Sequence, residues 1–190
     1  MKQGIPLFFS LIALFSPHLH CEEIVAGQLY NGGTELTSSA LGITLTIPSG
    51  WQGGLPQGAG ALVLDAENGE ASMLLVFDSY NQTQIESMMA GSIPLDEGMY
   101  LQPKASPNVQ DNTVVNDYLV MGTAVPLAAN VAARELREGL SLATIIFASS
   151  MTAELKQLAL AITADITVFE PADPAVNEQA GGWQQYMRGR

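Results

Sequence analysis

Ala61-Leu-Val-Leu-Asp65, then Asn68-Gly69, then Ala71-Ser-Met-Leu-Leu-Val-Phe77: the reading of these three pieces decides the fold. Two apolar runs flank an Asn-Gly pair. Asn-Gly accepts the positive φ angles of a type I′ turn, and the twist of that turn matches the twist of paired strands. The stretch predicts a β-hairpin.

Upstream, Leu41-Gly-Ile-Thr-Leu-Thr-Ile47 alternates apolar and polar residues, as a half-buried strand does. Pro48-Ser-Gly-Trp51 ends it. Gly53, Gly54, Pro56, Gly58 and Gly60 predict a loop. It is not a phosphate loop, because Gly58-x-Gly60 lacks a following helix and lysine.

Downstream, residues 81 to 91 predict a short helix. Ile85, Met88 and Met89 fall at i, i+3 and i+4, spacing that turns them into a core. Asn81 and Thr83 are both candidate N-caps, with Gln84 or Glu86 three residues on, and Gly91 suits the C-terminal cap. Gly98 to Pro103 reads as a short strand, and Lys104 to Asn112 as a polar connection. Thr113 to Met121 is rich in β-branched and aromatic residues and reads as a strand. Ala128 to Glu138 is ambiguous. Its alanines, Glu135 and Arg137 favour helix locally, whereas Gly139 followed by Leu140 to Ala148 suggests a hairpin returning through 137–139. Thr152 to Ala164 predicts the longest helix, with a stripe of Leu155, Leu158, Ala159 and Ile162 and with Glu154 on the N-terminal dipole. Ile166 to Phe169 closes as a strand. The expectation is an α+β fold: an antiparallel β-sheet meander with two main helices packed against it.

From Ile47-Pro-Ser-Gly-Trp51 onward the order of elements resembles the PsbP-like domains, the superfamily that includes small DcrB-type bacterial envelope proteins. A strand runs into Pro-x-Gly-Trp, and a hairpin, a short helix, a strand meander and a long helix follow. The resemblance spans about residues 35 to 170. It implies an antiparallel sheet with helices against it, and it favours strand for the ambiguous 128–138 segment. It implies a non-enzymatic accessory, binding or assembly role, and it carries no catalytic residue across.

The first 21 residues, MKQGIPLFFSLIALFSPHLHC, have one lysine, an apolar run from Ile5 to Phe15 and a helix-breaking Pro17. This is the layout of a secretory signal peptide, and the run is shorter than the ~20 residues of a bilayer span. The expected organisation is a signal at 1–21, a single domain at 22–170 and an acidic, polar tail at 171–190 that reads as the start of a further segment. Cleavage after Cys21 or after Ala26 fits. His18 and His20 stand where a lipoprotein signal needs small residues. The expected location is periplasmic or secreted, with no membrane association after cleavage.

Cleavage after Cys21 removes His18, His20 and Cys21, so the remaining chain has no imidazole and no thiol. That excludes a Ser-His-Asp triad, a Cys-His pair and any histidine-based metal site. No Ser-x-x-Lys spacing precedes Lys104 or Lys156, where positions 101 and 153 are Leu and Ala. Losing Lys2 with the signal leaves six basic residues against nineteen acids, a net −13. Such a surface repels nucleic-acid backbones and anionic lipid.

Asp65, Glu67 and Glu70 cluster around the Asn68-Gly69 turn. They offer oxygen ligands but not the twelve-residue EF-hand arrangement. At an exposed, convex hairpin tip they also make a poor glycosidase pair. No catalytic, cofactor-binding or metal-ligating residue is assigned, and no cofactor is expected. Three residues are candidates for touching a partner or ligand: Trp51, beside Pro48, and Trp183 and Tyr186 in the tail. The expected function is an exported, non-catalytic accessory or binding module of the bacterial envelope, its partner an unknown protein or small ligand. The alternatives are a carboxylate-only, glycosidase-like hydrolase and a fragment of a larger secreted protein.

Overall fold

The computed structural model describes residues 21–96 and 98–171. The expected signal up to residue 20, and Trp183 and Tyr186 in the tail, lie outside them. The first strands are β1 (Cys21–Glu23), β2 (Tyr30–Asn31), β3 (Glu35–Ser38), β4 (Ile43–Thr46) and β5 (Trp51–Gly54). The hairpin β6 (Ala61–Ala66) and β7 (Ala71–Asp78) follows, then α1 (Gln82–Met89). Next come β8 (Ile93–Asp96), β9 (Met99–Pro103), β10 (Asn108–Gln110), β11 (Thr113–Met121), β12 (Leu127–Arg137) and β13 (Leu140–Ala148). Helix α2 (Ala153–Asp165) and β14 (Thr167–Val168) complete the described chain. Mostly antiparallel strands with two helices make an α+β fold.

The strands form two sheets. In the larger, the order is β2-β5-β6-β7-β13-β12-β11-β9-β8, with β10 also on β11 and every pairing antiparallel. The expected meander is broken between β2 and β5, where β3 and β4 join the smaller sheet, and again at β7. After β7 the chain passes through α1 to the far edge, then returns strand by strand until β13 lies against β7. Burial explains the arrangement: β13 is buried at eight of its nine residues, and β7 buries residues on both faces, so both need hydrogen-bonded partners on either side. The smaller sheet runs β1-β3-β4-β14, with β1 parallel to β3 and Cys21 opposite Glu35.

The helices occupy opposite faces of the large sheet. Ala159 and Ile162 of α2 pack with Leu75, Ala132, Leu142 and Ile146, together with Leu36, Ile43 and Leu45 of the smaller sheet. Ile85 and Met89 of α1 pack with Val76, Val131, Ala143 and Ile145. Adjacent residues of one strand thus serve different cores, as the two-residue repeat of a strand requires.

Four local expectations need correction. The Asn68-Gly69 turn is not type I′. Gly69 has φ +72° but Asn68 is not left-handed, and Gly69 N–H donates to Ala66 O at 2.8 Å. Asn68 Oδ1 instead accepts from Glu70 N–H at 3.0 Å, an Asx turn that holds the bend. The left-handed pair lies elsewhere, at Asp111 (φ +47°) and Asn112 (φ +63°) between β10 and β11. There a two-residue turn makes a hairpin within the predicted polar connection.

The predicted loop begins later than expected: Gly53 and Gly54 belong to strand β5, and the loop occupies residues 56–60. A Cβ on Gly54 would sit 2.0 Å from Gln28 O, and one on Gly53 would sit 2.0 Å from Val63 O. The glycines let neighbouring backbone approach the strand at these points. Finally, α1 ends at Ala90, in the right-handed region, and Gly91 has no positive φ.

Asn81 is the N-cap of α1, with a reciprocal capping box to Gln84, which decides between the two candidates. The ambiguous segment from Ala128 is strand as far as Arg137, and Glu138 lies in the turn to β13. Pairing with β11 on one side and β13 on the other overrides the local helix preference of its alanines.

Candidate functional site

Strand β11 turns two consecutive polar side chains to opposite faces. Asn116 is 5% exposed. Its Nδ2 donates to Met89 O and to Ala105 O, each at 3.0 Å. It pins the 104–106 loop to the end of α1. Asp117 faces α2. Its Oδ2 accepts from Lys156 Nζ at 2.5 Å, the one ion pair among the described residues. Its Oδ1 accepts from Asn130 Nδ2 at 2.9 Å, across the ladder that pairs residue 117 with residue 130.

These groups line a cleft of about 320 Å³ beside α2. Lys156, Gln157 and Leu160 of the helix form one wall. Lys104, Ser106, Asn108 and Gln110 form the other, and Val115, Asp117 and Asn130 lie beneath. Burial raises the affinity of the Asp117 carboxyl for its proton. The hydrogen bonds from Lys156 and Asn130, with the charges of Lys156 and Lys104, outweigh that and hold it below the usual carboxylate range.

Asn130 is 1% exposed, and its Oδ1 has no hydrogen-bond partner among the described residues. A buried, unpaired acceptor costs about 1–3 kcal/mol. The other two such atoms are Nε of Arg134 and Arg137. Each of those side chains already donates through Nη2, to Ala164 O and Leu41 O respectively. Asn130 Oδ1 therefore stands apart: a neutral acceptor lacking a donor, on a residue that lines a cleft.

Trp51 lines a different cleft, of about 580 Å³, at the N-terminal end of α2. Glu67, Glu70 and Glu154 carry its charge. The hairpin tip is therefore one wall of a concavity rather than a free convex end. Trp51 is only 6% exposed and its ring belongs to the core with Leu64 and Ala71, so it offers a ligand little surface. Two of the turn's three carboxylates are engaged locally: Asp65 Oδ1 accepts from Ser72 Oγ at 2.6 Å and Glu70 Oε2 from Asn68 Nδ2 at 2.9 Å. Glu154, at the start of α2, is held below its usual value by its own main-chain N–H first and by the Thr152 side chain second. Among the described residues, no three His, Cys, Asp or Glu side chains come together as metal ligands.

The sequence does not reveal Asp117, Asn130 and Lys156 as a group, because they lie on three different elements. The available signal was a polar pair, Asn116-Asp117, inside a strand otherwise rich in valine, and a lone Asn130 between Ala129 and Val131. A buried polar residue at a strand centre asks for a partner. No protein-family model matches this chain, and no curated protein sequence is similar enough to it to count as a match.

Proposed function

We propose that this chain is a non-catalytic binding module exported to the bacterial envelope, and that it takes a small polar ligand in the cleft beside α2. The leader-like first 21 residues support export. The observation that carries binding is Asn130 Oδ1, a buried acceptor without a donor at a cleft lined largely by amide, hydroxyl and charged groups. In the free protein an ordered water can meet that acceptor. A ligand N–H or O–H that replaces such a water keeps the acceptor bonded in a low-dielectric site and releases the water. The order strand, Pro48-Ser-Gly-Trp51, hairpin, short helix, strands and long helix supports a PsbP-like relationship.

The alternative, a carboxylate-only hydrolase, needs one carboxyl raised to serve as general acid. Among the described residues, the two carboxyls with a displaced proton affinity, Asp117 and Glu154, move the other way. Amide NMR spectra of the purified chain, recorded against a panel of envelope metabolites, test the reading. Ligand-dependent shifts at 104–106, 117, 130 and 156–157 are expected. Turnover that disappears when one acid is exchanged for its amide overturns it.

A further inference from the structure

The distribution of cations narrows the ligand. Four basic residues fall in the described chain: Lys104, Arg134, Arg137 and Lys156. Both arginines donate to main-chain carbonyls, of Ala164 and Leu41. Both lysines line the same cleft, where Asp117 is the one acid. A protein with a formal net charge of −12 thus places both lysines of its described residues around one cavity, which carries a local excess of one positive charge. Lys104 is exposed and makes no side-chain hydrogen bond or ion pair among the described residues. Lys156 shares Asp117 at the surface, with the two side chains 37% and 35% exposed, so its ammonium can reorient toward a second anion.

We propose that the cleft binds a small carboxylate that also carries an amide N–H, the chemistry of an N-acylated amino acid or a peptide C-terminus. The inference rests on the binding-module reading above. The ligand carboxylate lies between the Lys104 and Lys156 ammonium groups, where a charge-assisted hydrogen bond is about twice as strong as a neutral one. The ligand N–H donates to Asn130 Oδ1, the acceptor that has no partner. Asp117 remains ionised and holds Asn130 in place through Nδ2, so the Oδ1 lone pairs stay free for the ligand. The cavity's roughly 320 Å³ lies at the low end of the small-molecule range. Val115 and Leu160 supply the apolar surface for a short side chain.

The test uses the full chain, N-acetyl amino acids with alanine, leucine and glutamate side chains, the matched N-acetyl carboxamides, and sodium acetate. Binding is read from amide shifts and from titration calorimetry. At least one N-acetyl acid is expected to saturate the cleft resonances. Its carboxamide should bind about tenfold weaker or less well, the loss expected for a hydrogen bond to a charged group. Acetate, which lacks the N–H, should move the Lys104 and Lys156 signals without moving Asn130. Lys104→Met, at an exposed position that leaves the fold alone, should weaken the acid and leave the carboxamide unchanged. Equal binding of acid and carboxamide overturns the carboxylate assignment while the binding-module reading survives. Failure of every probe, carboxamides included, to move a cleft resonance overturns the proposal. If the metabolite panel also leaves the cleft silent, the binding-module reading falls with it.

Discussion

Asn130 stands directly across from Asp117 in the β11–β12 ladder and donates its Nδ2 to the Asp117 carboxylate at 2.9 Å. Strand register alone brings the amide to the acid, and Lys156 reaches the same carboxylate from α2. The polar cluster therefore reports whether helix and sheet are docked.

Its first consequence is a dependence on acid. Asp117 has a folded pKa below its unfolded value of 3.8, with burial opposing the shift and Lys156 and Asn130 producing it. The group's contribution is present above the unfolded value and is lost as pH falls through the lower folded value. Stability measured by urea unfolding should fall as pH drops below about 4. In Asp117→Asn that part of the loss should disappear. Because the pair is about one-third exposed, the effect should shrink in high salt. Identical acid profiles for the two proteins would rule it out.

Tyr118 titrates at the other end of the scale. It is fully buried, and burial pushes its hydroxyl up to about 12 against a hydrogen bond involving Asn116. Its hydroxyl donates to Met89 O at 2.7 Å. Only the neutral form suits this site, so stability should hold below pH ~10 and decline as pH rises toward ~12. Absorbance at the phenolate wavelength should show one tyrosine titrating late, and Tyr118→Phe should delete that phase. Met89 O keeps its bond from Asn116 in the variant, so its cost at neutral pH should be about 1 kcal/mol.

Thr144 and Thr163 are both fully buried, their hydroxyls 2.8 Å apart between β13 and α2. The Thr163 hydroxyl also lies 2.8 Å from Ala159 O within the helix. Thr144→Val should cost about 1–3 kcal/mol, while the double Val variant should cost less than the two single changes added together. Chemical denaturation of all four proteins gives the coupling; strict additivity would mean the hydroxyls do not communicate.

Gly54→Ala should destabilise by about 1–3 kcal/mol, the range for overpacking, because its Cβ would strike Gln28 O at 2.0 Å. Gly91→Ala meets only Met88 O at 3.7 Å, at a position without positive φ, and should be close to neutral. Melting temperatures of the two variants separate a glycine needed for close approach from one that is not. Similar melting temperatures would contradict the close approach of the Gln28 backbone to β5.

The sequence reading was strongest where neighbours in the chain decide the outcome. Both helices follow from a period of 3.6, the 61–77 hairpin from two apolar runs around Asn-Gly, and the strands at 113–121 and 140–148 from β-branched or apolar runs, and these need no knowledge of distant residues. Asn81 was visible as a cap because its partner, Gln84, is three residues away. Strands β5 and β10 are not legible in the sequence, because glycines or polar residues pass for loop unless the backbone packed beside them is known. The segment Ala128–Glu138 is not legible either, because its helix-favouring side chains yield to two flanking strands.

Residue order alone determines that positions 22–190 contain neither histidine nor cysteine, which removes imidazole and thiol chemistry from that span however it folds. It also determines the alternation that gives each strand two faces. The pairing of β7 with β13, the placement of α1 and α2 on opposite faces, and the meeting of Asp117, Asn130 and Lys156 belong to the tertiary structure. Those contacts depend on which surfaces fit and which buried polar groups find partners across the chain, and no local window of residues holds that information.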